Sequence, residues 1–123
     1  MRLGILLTLF MGFLIGSGAK AQTNSTTTTD GNYLLGSCRL SVQIMDNPDT
    51  HQTLLDAWRD GLCKGIVRGV WAVSPSVCAP QDVTAGQVVR IVYKYLQDHP
   101  EQLQLYDARL VDMALTQAFP CKK

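Results

Sequence analysis

Charge of one sign is what this sequence most lacks. Its 123 residues carry 11 Lys and Arg against 10 Asp and Glu. So even a balance gives no electrostatic footprint for nucleic acid, and no lysine- or arginine-rich run marks a membrane surface. Histidine is scarce: only His51 and His99 are present, each at an expected helix start where it caps or faces water. Neither Cys-x2-Cys nor His-x3-His spacing occurs, so a zinc site is not expected. No glycine loop follows a strand pattern to cradle a phosphate. No apolar run approaches the roughly 20 residues of a spanning helix, so no stable membrane anchor is expected. Alternating strand periodicity and internal repeats are also missing.

What the chain does hold is four cysteines, Cys38, Cys63, Cys78 and Cys121, behind an N-terminal segment with the zones of an export signal. Arg2 is the positive end, residues 3–15 are apolar, and small residues lead to Ala19-Lys20-Ala21. This pattern predicts cleavage after Ala21. With no cysteine at that point, a lipoprotein anchor is not expected. Export implies an oxidising compartment, where an even cysteine count reads as disulfides. Paired sulfurs leave no thiolate for nucleophilic catalysis, and an enzyme is not expected. Cleavage also removes Arg2 and Lys20, leaving a side-chain charge of −1.

Residues 22–32 are Thr-rich and of low complexity, which predicts a disordered tether. Asn24-Ser25-Thr26 fits a glycosylation sequon, idle in a bacterial chain. Residues 33–123 form the domain, an all-α bundle of about four helices stapled by two disulfides. The first helix is expected over about 33–44, with Leu34, Leu35, Cys38 and Val42 inward, and ends at Asn47-Pro48. The second is expected over about 50–73. Leu54, Leu55, Trp58, Leu62, Ile66, Val70 and Trp71 recur there at three- and four-residue steps, which is helical spacing. A capping box at Thr84-Ala85-Gly86-Gln87 opens the third, whose apolar face is Val88, Ile91, Val92, Tyr95 and Leu96. Pro100 is expected to start the fourth, with Leu103, Tyr106, Leu110, Met113, Ala114, Leu115 and Phe119 inward. Asp56, Asp60, Asp107 and Asp112 fall on polar faces and read as solvated.

A second stripe marks the second helix. Ala57, Gly61, Gly65 and Gly69 repeat every four residues. An interior Gly costs roughly 1 kcal/mol against Ala, so the stripe needs a close-packed neighbour. Either another helix of the same chain crosses there, or the helix is bent, or a second copy docks, and the crossing or bend is the simpler reading.

Four cysteines allow three pairings. The turn at Pro48 makes the first two helices antiparallel, which lets Cys38 meet Cys63 and leaves Cys78 for Cys121. In the chain-entropy treatment the two links stabilise by roughly 3.5 and 4 kcal/mol. Cys78 lies in a proline-bearing loop over residues 74–81, which is either a plain connector or a rigid display.

Specific strings then bear on function. Cys63-Lys64-Gly65-Ile66-Val67-Arg68-Gly69-Val70 resembles a segment of the Rap/Tai-type immunity protein family. Cys78-Ala79-Pro80, Val83-Thr84 and Gln87 resemble its next block, as do residues 89–100 with Glu101 after them. Ala114-Leu115 and Ala118-Phe119-Pro120-Cys121 resemble its closing signature. The likeness covers roughly residues 53–121, with a weaker match at Leu34-Leu35-x-x-Cys38. Ile66 departs from it, standing where an aromatic residue is common. The resemblance implies a periplasmic, disulfide-bearing, often homodimeric helical protein without cofactor. It also implies a partner: a peptidoglycan-cleaving amidase effector of type VI secretion, occluded by a protruding loop. Ser74, Pro75, Ser76, Val77, Ala79 and Gln81 are the candidate contacts. A periplasmic stress or holdase-like binding protein of the same fold is the alternative.

Overall fold

A computed structural model describes residues 29–122. The expected export signal, its cleavage point, the sequon and most of the tether lie outside the described residues. Four helices follow in order: α1 (Gly31–Asp46), α2 (Leu54–Val73), α3 (Ala85–Asp98) and α4 (Asp107–Ala118), with a 3-10 turn at Pro100–Gln102. Among the described residues there is no strand, only two isolated bridges, Asp30 with Tyr106 and Val77 with Pro120. The all-α bundle with two disulfides is therefore the architecture.

Side-chain caps set where three of the helices start. Asp30 accepts from the Tyr33 amide at 3.0 Å and opens α1, so ordered structure begins before the expected boundary at residue 33. Thr53 and Asp56 form a reciprocal capping box on α2. That box starts α2 at Leu54 rather than near residue 50. Thr84 and Gln87 cap α3 as the sequence pattern predicts.

The core draws on every helix. Leu34 and Cys38 come from α1, Cys63 and Val67 from α2, Val88, Val89, Val92 and Leu96 from α3, and Leu110, Val111 and Leu115 from α4. α1 packs on α2 and α3, and α4 closes against α2 and α3. Cys38 and Cys63 are joined with their Cα atoms 5.1 Å apart, which clamps α1 to α2.

Only part of the apolar stripe of α2 turns inward: Ile66, Val70 and Trp71 pack against the core. Leu54, Leu55 and Trp58 are 89%, 54% and 63% exposed. The disulfide turns Cys63 inward, and Val67 follows one turn later. At about 100° per residue, Gly65 lies roughly 200° round from Cys63 and faces away from the bundle.

The fourth helix differs from the expected one. It opens at Asp107, not at Pro100. The intervening backbone is committed elsewhere. Gly31 N donates to Leu105 O at 3.0 Å and Asp107 N to Thr29 O at 3.3 Å. The Asn32 side-chain amide donates to Leu103 O at 3.2 Å. These bonds tie residues 103–107 to the start of α1, and a helix through them would break all three. Tyr106 consequently sits extended and 68% exposed instead of inward.

The aspartates are not idle surface. Asp107 is only 8% exposed. Asp60 pairs with Lys64 at 2.7 Å, Asp56 caps α2, and Asp112 reaches the loop described next.

Candidate functional site

Two surfaces answer to the candidate residues. The first is the connector between α2 and α3. Ser74 ends α2: its amide donates to Val70 O at 2.8 Å, and its backbone turns extended. Its hydroxyl donates to Asp112 Oδ1 on α4, 38 residues away, and accepts from the Ser76 amide at 3.3 Å. Further along, Val77 bridges Pro120, and Cys78 N donates to Phe119 O at 2.9 Å. The Cys78–Cys121 disulfide, with Cα atoms 4.9 Å apart, closes the link. A turn bond from Val83 N to Pro80 O at 3.3 Å shapes the exit.

The loop is thus held by α4, through Asp112, and by the segment that follows it, residues 119–121. Of the six candidate contacts, Pro75, Ser76 and Gln81 are exposed, whereas Ser74, Val77 and Ala79 are half-buried. The outer three present a surface. Ser74 and Val77 hold it in place. Ser76 also lies at the rim of a cleft between α3 and α4, lined with Tyr95, Asp112, Met113 and Thr116. Asp112 belongs to the site, though no local sequence signal marks it, because its partner is remote in the chain.

The second surface is the outward face of α2. Ala57, Trp58, Gly61, Leu62, Gly65 and Ile66 line a shallow apolar groove, with Thr29 at its edge. A β-carbon placed on Gly61, Gly65 or Gly69 would meet nothing within 4 Å among the described residues. The expected intramolecular crossing over these glycines is therefore not present among the described residues. The capacity for close approach is built into the helix and is unused within the described chain. Leu54 and Trp58 extend the same face beyond the bundle.

No cysteine is free. His51 is exposed in the α1–α2 connector. His99 caps the C-terminus of α3 and packs on the Tyr95 ring, centroids 4.3 Å apart. Its Nδ1 pairs with Glu101 at 3.1 Å. Neither histidine meets a nucleophile. Among the described residues no three His, Cys, Asp or Glu side chains converge as a metal site.

A family model, Rap1a immunity proteins, matches residues 30–121. No curated protein and no solved structure matches the chain. The match spans all four helices and all four cysteines, and it starts at Asp30, the residue that caps α1. This chain belongs to the Rap1a immunity protein family.

Proposed function

We propose that this protein is a periplasmic immunity protein. It would bind a peptidoglycan-cleaving amidase effector of type VI secretion and occlude its cleft with the loop over residues 74–81. The observation that carries this reading is the loop's double anchorage. A disulfide, a bridge and the Ser74–Asp112 hydrogen bond fix it before any partner arrives. A loop already held in one shape loses less entropy on binding, so more of the contact energy shows as affinity. Pro75, Ser76 and Gln81 make the outward contacts. The protein contributes no chemistry of its own; inhibition is by occupation.

The α2 groove supplies a second contact, with another copy of the chain. Gly61, Gly65 and Gly69 allow two α2 helices to approach closely, while Trp58, Leu62 and Ile66 supply apolar area at the seam. A holdase of the same fold would use this exposed apolar face differently, gripping many unfolded clients weakly. Partner number separates the two readings: an immunity protein binds one amidase tightly, in a fixed ratio.

The test is co-purification of the exported protein with a candidate type VI amidase effector, followed by a peptidoglycan cleavage assay. A stoichiometric complex and lost cleavage are expected. Substitution of Pro75, Ser76 and Gln81 with Ala should release the enzyme. An amidase that neither binds nor slows would end the immunity reading.

A further inference from the structure

The two disulfides differ in a way that the sequence alone does not reveal. Cys38 and Cys63 are both 0% exposed and sit inside the core between α1 and α2. Cys78 is exposed and Cys121 half-buried, at the margin of the fold. Neither Cys78 nor Cys121 belongs to the buried core, which runs from Leu34 to Leu115. What the outer link joins is the residue 74–83 loop and the segment after α4.

We propose that Cys78–Cys121 is a site of thiol–disulfide exchange, open to a dithiol reductant of the Cys-x-x-Cys class while Cys38–Cys63 is closed to it. Opening it releases the loop and leaves the bundle folded. Attack falls on the sulfur of Cys78, the more exposed residue of the pair. A reductant thiolate bonds to Cys78 Sγ, the Cys78–Cys121 bond breaks, and Cys121 leaves as a thiolate that takes up a proton. The reductant's second thiol then displaces Cys78 and closes its own disulfide. The protein disulfide gains two electrons and two protons, and the dithiol loses the same.

Cys121 Sγ lies 3.8 Å from the Pro75 carbonyl oxygen. In the disulfide it has no hydrogen to give; as a thiol it does. The reduced sulfur therefore has an acceptor at hand in the loop it has just released. Few other links hold that loop: the Ser74–Asp112 bond, and the Val77–Pro120 bridge, to which the Cys78–Phe119 backbone bond belongs. The inner sulfurs, by contrast, meet a reductant only after α1 and α2 part, and that opening draws on the stability of the core.

The chemistry is independent of what the loop binds. Only its effect on effector binding rests on the immunity reading, so the two can fail separately. The test treats the oxidised protein with graded dithiothreitol, traps free thiols with iodoacetamide and maps them by mass spectrometry. Reduction of Cys78–Cys121 should run at least about tenfold ahead of Cys38–Cys63, because the inner pair waits on an opening event. At that stage far-UV circular dichroism should be unchanged. Amide exchange should quicken over residues 75–82 and 119–122 and not in the four helices. The doubly substituted Cys78→Ser, Cys121→Ser protein should show the same exchange pattern. Simultaneous opening of both disulfides, or helix loss in step with the first, would overturn the proposal.

Discussion

Gly31 lies so close to Leu103 that a β-carbon on it would stand 2.8 Å from both the Leu103 α-carbon and its carbonyl oxygen. The neighbour is backbone, which cannot rotate away. Around the same point Gly31 N bonds Leu105 O and Asn32 bonds Leu103 O. This contact seats the first turn of α1 on the segment that leads into α4.

Gly31→Ala should therefore destabilise the protein, by about 1–3 kcal/mol, the usual cost of forcing a methyl into a packed site. Chemical denaturation checks it through the midpoint at constant slope. An unchanged midpoint would show that the α1 terminus and the 103–107 segment move apart at no cost.

The α2 glycines should behave in the opposite way. Gly61, Gly65 and Gly69 have open space where a β-carbon would go. Each sits inside an exposed helix, where Ala is favoured by up to about 1 kcal/mol. Single Gly→Ala changes should raise the melting temperature at low protein concentration. If two α2 helices pair through this face, the same changes should weaken self-association in sedimentation velocity. Stability gained and association lost would assign the stripe to an interface; stability gained alone would leave it a helix without a partner.

The fold was legible where local chemistry decides it. The disulfide pairing followed from the antiparallel helices that the Pro48 turn implies, and the Thr84 capping box and the break at Asn47-Pro48 read directly from residue type and spacing. The face of α2 did not, because that helix carries apolar residues on two sides and periodicity cannot say which one turns inward. The deciding fact was present in the chain: once Cys63 must reach Cys38, Gly65 must face away. The gap between Pro100 and Asp107 was beyond local reading. Its cause is pairing with residues 29–32, some 75 positions earlier in the chain. Asp112 escaped for the same reason, since its partner Ser74 is 38 residues away.

Acid should weaken the helix starts first. The Asp56 carboxylate accepts from the Thr53 amide and hydroxyl, which lowers its pKa below the ordinary 3.8. The Tyr33 amide does the same for Asp30. A lowered native pKa means that the unfolded chain takes up protons first as pH falls. The stabilisation is then complete above the ordinary value and is lost as pH drops through the lower, native one. The acid limb of the unfolding curve, below about pH 4, should flatten in Asp30→Asn and Asp56→Asn. A limb as steep as that of the unsubstituted protein would place the acid sensitivity elsewhere.

Removing each disulfide should rank the two by burial rather than by loop length. The Cys38–Cys63 link spans 25 residues and Cys78–Cys121 spans 43. On chain entropy alone the outer link is worth slightly more, about 4 against about 3.5 kcal/mol. Burial reverses that order. Replacing Cys38 and Cys63 with Ala deletes two fully buried sulfurs and leaves a void between α1 and α2, which adds about 1 kcal/mol or more. Replacing Cys78 and Cys121 with Ala leaves no buried void, because Cys78 faces solvent. The inner pair should therefore give the larger fall in unfolding free energy, and the outer pair the larger rise in proteolytic cleavage within residues 75–82. An outer pair that costs more than the inner one would mean that unfolded-chain entropy, and not core packing, sets what each sulfur bridge contributes.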